Sequence, residues 1–192
     1  MVASSGSTPL MTVEQYEDRL LEGDRWIELV AGRLIRLDPP DQPHGDVIRN
    51  LSKPLATFLK TSPDLCACFE LPLVISREPA TVRCPAISFF QSANRFAEID
   101  KLVTDTRPAL VIEVASTNDR REGMSERIKG YLDAGIAPVW IIDPVTRHVH
   151  QFHPPRPGIM LKETQILHGS PVLSGFQLLI SDLFRPPTWD RS

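Results

Sequence analysis

Apolar positions along the chain change period several times, and each change marks an element. Residues 12–23 open on Thr12 with Gln15 three positions later, a capping-box spacing, and close on Gly23, which predicts a short helix. Residues 26–37, WIELVAGRLIRL, are two apolar runs joined by Ala31-Gly32 and predict a β-hairpin. After a Pro-rich loop, Val47, Ile48, Leu51, Leu55 and Leu59 recur at helical spacing, with Pro54 set to kink the helix or mark a boundary. Residues 67–76 and 81–90 read as two strands, and 109–116, ALVIEVAS, as a third. Residues 119–135 carry Met124, Ile128, Tyr131 and Leu132 on one helical stripe. Asp119 with Glu122 resembles a second capping box there, and Gly135 marks the stop. A hairpin turning at Asp143-Pro144 over 138–152, a strand at 162–167 and a closing segment at 175–184 complete the pattern. Helices and strands in this order predict an α/β (α+β mixed) fold, a mixed central sheet flanked by helices.

Four polar residues break the apolar pattern. Both faces of the 109–116 strand are apolar, so Glu113 has no solvated side, and a buried carboxylate is costly without a partner. Glu28 raises the same question inside WIELV, where an exposed hairpin edge is the plain alternative. Arg127 sits beside the helical stripe, one turn from Met124 and Tyr131, and either meets a carboxylate or snorkels to water. His44 opens the second helix, where a cap or surface role is the ordinary one. Two buried carboxylates with a nearby cation suggest metal-assisted phosphodiester chemistry, since Mg²⁺ takes carboxylate oxygens and water and stabilises developing charge.

Composition narrows this picture only a little. The chain has 192 residues, 42% hydrophobic and 23% charged, which suits one domain with a real core. Residues 11–186 are expected to form it, between a mobile segment 1–10 and a tail 187–192. A net charge of −3 leaves nucleic-acid binding to a local patch, for which Arg120, Arg121, Arg127 and Lys129 are the candidates. Three cysteines without CxxC spacing, no signal-peptide pattern and no long apolar run predict a reduced, cytoplasmic protein with no membrane partner. His148 and His150 alternate on one strand face, as a chelating pair or as an exposed edge.

The residues MTVEQYEDRL, WIELVAGRLIRLDPP, PHGDVIRNLSKPLATFL, VRCPAISFF, PALVIEVAST, RIKGYLDAGIAPVWIIDP and VLSGFQLLISDLF, in this order and spacing, resemble the Uma-two-type family of restriction endonucleases over roughly 11–186. The resemblance implies a restriction-endonuclease-like fold of the PD-(D/E)XK superfamily, with Mg²⁺ held by acidic residues beside a Lys, and DNA as substrate. It places Glu28 in the hairpin and Glu113 on the third strand as metal-binding and catalytic residues, with His44 before the second helix. Two positions depart from the pattern. Ala86 stands where the family's strand carries its metal-binding Asp, and Arg127 stands where the catalytic Lys is usual. Ala115, two residues after Glu113, leaves the E-x-K form absent as well. Ala cannot ligate a metal, and Arg stays protonated, so it is a poor proton shuttle. Glu70, on the adjacent strand, is the candidate replacement ligand.

Two readings follow. The chain is a Mg²⁺-dependent endonuclease-like phosphodiesterase using Glu28, Glu113, Arg127 and His44. Alternatively it is a catalytically inactive nuclease-fold module, with Mg²⁺ weak or absent, that binds nucleic acid or a protein partner. A homodimer is expected by analogy with enzymes that cut two strands.

Overall fold

The computed structural model describes residues 9–92, 94 and 96–187. The expected mobile segment 1–10 and tail 187–192 fall outside it except for residues 9, 10 and 187. In chain order the elements are α1 (Val13–Leu21), β1 (Ile27–Val30), β2 (Arg33–Arg36), α2 (Gln42–Leu59), β3 (Leu65–Phe69), β4 (Leu73–Arg77), β5 (Ala80–Arg83), β6 (Ile87–Gln91), β7 (Leu110–Val114), α3 (Asn118–Glu122), α4 (Met124–Asp133), β8 (Val139–Asp143), β9 (His148–Phe152), β10 (Ile159–Lys162), β11 (Ile166–His168), β12 (Gln177–Leu179) and α5 (Ile180–Leu183).

The capping box on α1 forms in full: Thr12 Oγ1 accepts from the Gln15 N–H, and Gln15 Oε1 accepts from the Thr12 N–H. The helix buries Val13 and Tyr16 against Ile27, Leu29, Ala80 and Val82 of a four-stranded sheet ordered β2-β1-β5-β4. The predicted hairpin turns on Ala31 (φ 48°) and Gly32 (φ 75°), and two positive φ values give the two-residue turn that matches strand twist. A side chain at Gly32 would come 2.6 Å from Leu10 Cβ, so glycine is required there twice over.

The two strands expected at 67–76 and 81–90 are four shorter ones shared between two sheets. Glu70 adopts φ 50°, and neither Pro72 nor Pro85 can donate to a ladder, so each run breaks in its middle. The first and last pieces, β3 and β6, pair from Leu65↔Gln91 to Phe69↔Ile87, while β4 pairs with β5. The chain therefore crosses from one sheet to the other at Glu70 and returns at residues 84–86.

The larger sheet is ordered β10-β9-β8-β7-β6-β3, and within it β7 and β8 run parallel while the other neighbours are antiparallel. One face sets Leu110, Ile112 and Val114 against Val47, Leu51 and Leu55 of α2. The other sets Val111 and Ala115 against Met124 and Tyr131 of α4. α2 runs unbroken through Pro54. Three buried aliphatic side chains spanning that point, at roughly 1.5–3 kcal/mol each, outweigh the cost of about 3 kcal/mol for an interior proline.

The helix expected over 119–135 divides at Gly123, which ends α3 and starts α4. Asp119 does not form the expected box with Glu122. It accepts instead from the Thr117 hydroxyl, the Arg120 N–H and the Asp38 N–H, tying α3 to the loop after β2. Gly135 ends α4 at φ 72°, as predicted. Asp143 Oδ1 accepts from the Val145 and Thr146 N–H groups and shapes the predicted β8–β9 turn. The strand expected at 162–167 is the end of β10 and the start of β11, separated by a turn, and 175–184 holds β12 followed by α5. No helix among the described residues is long and apolar enough to cross a membrane.

Candidate functional site

Glu28 on β1, Glu113 on β7 and Arg127 on α4 meet in the interior, where Glu28 and Glu113 are 0% exposed and Arg127 2%. Arg127 Nη1 donates to Glu28 Oε2 at 2.6 Å, and Nη2 and Nε donate to Glu113 Oε1 at 2.7 and 3.1 Å. Tyr131, one turn further along α4, donates its hydroxyl to the same Glu113 oxygen at 2.6 Å. Glu28 is filled from its other side: Arg83 Nη1 donates to Oε2 at 2.9 Å and the Cys84 N–H to Oε1 at 2.8 Å. The exposed hairpin edge and the snorkelling arginine are both excluded. Strand alternation turns Glu113 toward α4, and the Leu29↔Val82 pairing, carried one step further, sets Arg83 opposite Glu28.

The charges in this cluster balance. Burial is the largest influence on the Glu28 carboxyl and pushes its pKa up, but Arg127, Arg83 and the Cys84 N–H together hold it below the usual carboxylate range. Burial also opposes the charge on Arg127, yet Glu113, Tyr131 and Glu28 raise its pKa well above the ordinary value. Burial and the Glu113 charge push the Tyr131 phenol well up. Arg127 is thus a fixed cation, unable to shuttle protons. Glu113 Oε2 is buried and has no hydrogen-bond partner among the described residues.

His44 lies in the first turn of α2, buried and not on the surface, and Asp41, not His44, caps that helix. Both its ring nitrogens lack a hydrogen-bond partner, and Nε2 is 3.7 Å from Glu70 Oε1. Burial, with Arg120 nearby, lowers its pKa to about 4. His44 shares no hydrogen bond with the Glu28–Arg127–Glu113 cluster. Ala86 is buried in the α2-side core, one residue before β6, whose pairing with β7 ends at Ile87↔Ile112, the position before Glu113. Where the resemblance puts a second carboxylate, there is a methyl group.

These residues do not fit a Mg²⁺ ion. The Arg127 guanidinium occupies the space between the two carboxylates, both Glu28 oxygens already accept hydrogen bonds, and Glu113 Oε2 alone is free. Glu70, the candidate replacement, is half-exposed: its carboxylate faces His44, its carbonyl accepts from the Cys84 thiol and its N–H donates to the Ala86 carbonyl. Among the described residues no three His, Cys, Asp or Glu side chains are grouped to hold a metal. His148 and His150 meet edge to face with ring centroids 6.5 Å apart.

The basic cluster expected on 120–129 is dispersed. Arg121 pairs with Asp143, Lys129 with Asp133 at the surface, and Arg127 is consumed inside. Arg120 is buried at 4% exposure and turned toward a different cavity. Sequence reasoning missed Arg83, the Cys84 N–H and the Tyr131 hydroxyl as members of the site. The four-residue spacing of Arg127 and Tyr131 was a usable signal for the last, whereas Arg83 becomes visible only once β1 and β5 are paired.

The chain matches the Uma2 family, described as "Putative restriction endonuclease", over residues 13–181. Among solved structures it is similar to "a putative nuclease belonging to DUF820" from Anabaena variabilis, with a TM-score of 0.72 and 21% identity, covering 88% of this chain and 96% of that one. At that identity the likeness establishes the shared restriction-endonuclease-like fold. No curated protein matches the chain.

Proposed function

The chain belongs to the Uma2 family of restriction-endonuclease-like proteins, and from that membership we propose that it is a nuclease-fold DNA-binding protein whose metal centre has been replaced by an internal ion pair. The observation that carries this reading is Arg127 set between Glu28 and Glu113 at 2.6 and 2.7 Å. A divalent ion shared by two carboxylates and an internal guanidinium neutralising the same two are mutually exclusive uses of one space. Metal-dependent hydrolysis needs an ion to stabilise developing phosphate charge, and neither Ala86 nor Arg127 supplies what that chemistry requires. The reading places the protein in the cytoplasm with DNA as its partner.

An active, Mg²⁺-dependent enzyme is the competing reading, favoured by the one unpartnered oxygen, Glu113 Oε2. Two assays on the whole chain separate them. Plasmid nicking with Mg²⁺ or Mn²⁺ is expected to stay at background, while a mobility-shift assay with duplex DNA in the absence of divalent metal is expected to show binding that weakens steeply with salt. Efficient nicking that Glu113→Ala abolishes sinks the inactive reading. Absence of any DNA binding at low salt sinks the DNA-binding one.

A further inference from the structure

Arg120 stands beside the buried cluster without a direct ion pair of its own. Glu28 and Glu113 offset Arg127 and Arg83. Arg120, 4% exposed, has no ion pair or side-chain hydrogen bond among the described residues, and its Nε is buried and unpartnered. Its neighbour Asp119 spends its oxygens on Thr117 and on the Arg120 and Asp38 N–H groups. The Arg120 charge helps hold the Asp119 carboxyl below its ordinary range, but the guanidinium itself makes no direct bond. A buried fork left unbonded is costly, and an anion that reaches it offsets that cost.

Arg120 lines a cavity of about 130 Å³ whose wall also includes Tyr16, Arg25, Trp26, Glu70 and Cys84. The Tyr16 hydroxyl is spent on the Ile27 carbonyl and the Cys84 thiol on the Glu70 carbonyl, so the charged donors at this wall are the two arginines. Close to Arg120 the His44 imidazole has both nitrogens unpartnered, and at neutral pH it offers one N–H without adding charge. Glu70, half-exposed, brings a carboxylate to the same wall, 3.7 Å from His44 Nε2.

We propose that this cavity is a phosphoryl-binding site, in which Arg120 receives two oxygens of a phosphate group on its unpaired fork while Arg25 contributes charge at the mouth. A planar fork matches two phosphate oxygens at once, and each bond is charge-assisted. The ligand is inorganic phosphate or the terminal phosphate of a polynucleotide. The site stands on Arg120 and does not need the DNA-binding reading.

The test is phosphate titration of the whole protein at fixed ionic strength, followed by thermal shift and ³¹P line broadening, on the native chain and Arg120→Met. The native chain is expected to be stabilised by phosphate and Arg120→Met to bind at least about tenfold more weakly, the loss of one charged bidentate contact. Without phosphate, Arg120→Met is expected to melt higher than the native chain, because an unpaired buried charge is gone. If that variant does not fold, Arg120→Lys, which keeps the charge and loses the fork, serves the same comparison. A second arm compares a 5′-phosphorylated oligonucleotide with its 5′-hydroxyl form. Preference for the phosphorylated strand assigns the site to a polynucleotide end, and equal binding alongside a phosphate response assigns it to free phosphate. No response to millimolar phosphate, or equal affinity in native and variant chains, overturns the proposal. Failure to bind duplex DNA with the phosphate response intact overturns the DNA-binding reading alone.

Discussion

Arg127 and Glu28, 99 residues apart in sequence, bond at 2.6 Å across the boundary between the two sheets. Arg127 belongs to the helix that covers the larger sheet, and Glu28 to the hairpin strand of the smaller one. The ion pair is therefore a link between halves of the domain as well as a neutralised site. Glu28 retains Arg83 and the Cys84 N–H if Arg127 is removed, but Glu113 retains only Tyr131.

Arg127→Met is accordingly expected to destabilise the fold by about 3–5 kcal/mol, since removing one partner strands a buried charge. Adding Glu113→Gln to it should recover a substantial part of that loss. Urea denaturation of the two variants measures both effects. A loss under about 1 kcal/mol for Arg127→Met would mean that the pair is solvated and contributes as little as a surface bridge.

Much of this site was legible beforehand because burial and charge conflict visibly in a sequence. An acid in the centre of ALVIEVAS and another in WIELV demanded partners, and the helical spacing of Arg127 offered one. The breaks at Glu70 and at 84–86 were not legible, because the apolar runs continue through them and only the pairing of β3 with β6 and β4 with β5 shows that each run serves two sheets. Asp119 failed as a cap for a related reason. Its partners Thr117 and Asp38 include one 81 residues away, beyond any local rule. Arg120 looked like part of a solvated basic face, and nothing in the spacing marks it as buried.

The Tyr131 hydroxyl is one of three donors on Glu113 Oε1. Tyr131→Phe keeps the ring and removes one donor to a charged acceptor, which should cost about 1.5–3 kcal/mol and leave the Arg127 bonds intact. The check is a shift in denaturation midpoint with unchanged slope. A neutral outcome would show that Arg127 alone satisfies that oxygen.

Metal binding should be recoverable by supplying what the site lacks. The native chain is expected to give no saturable Mg²⁺ heat by calorimetry and no change in melting temperature. Ala86→Asp with Arg127→Lys removes the obstructing fork and adds a carboxylate at the residue before the Ile87↔Ile112 pair, the position next to Glu113 along the ladder. Without metal that variant should be less stable than the native chain, because the new carboxylate is buried. Mg²⁺ or Mn²⁺ should then raise its melting temperature by mass action, about 2.7 kcal/mol at a hundredfold excess over Kd. A native chain that binds Mg²⁺ as well as the double variant contradicts the replacement of the metal centre by Arg127.

Stability should depend on pH through His44. Burial first, and the Arg120 charge second, lower its pKa from 6.5 to about 4, against a small opposing pull from Asp41. Glu70, 3.7 Å from Nε2, is the other carboxylate facing it. Because the folded-state value is the lower one, the unfolded chain binds the proton more readily between these limits. The contribution is complete above pH 6.5, declines as pH falls, and is fully lost near pH 4. The span corresponds to roughly 3 kcal/mol, an upper figure for a buried group. Glu28 acts in a separate window, since its depressed pKa makes its contribution fade only below the ordinary carboxylate value of 4.5. His44→Gln, which cannot titrate, should therefore flatten the stability profile between pH 6.5 and 4.5 while leaving the steeper acid limb in place. Denaturant titrations of both chains at half-unit pH steps read this directly. Parallel profiles in that window would show that His44 protonates as readily in the folded chain as in the unfolded one, and that its two unpartnered nitrogens are reached by water.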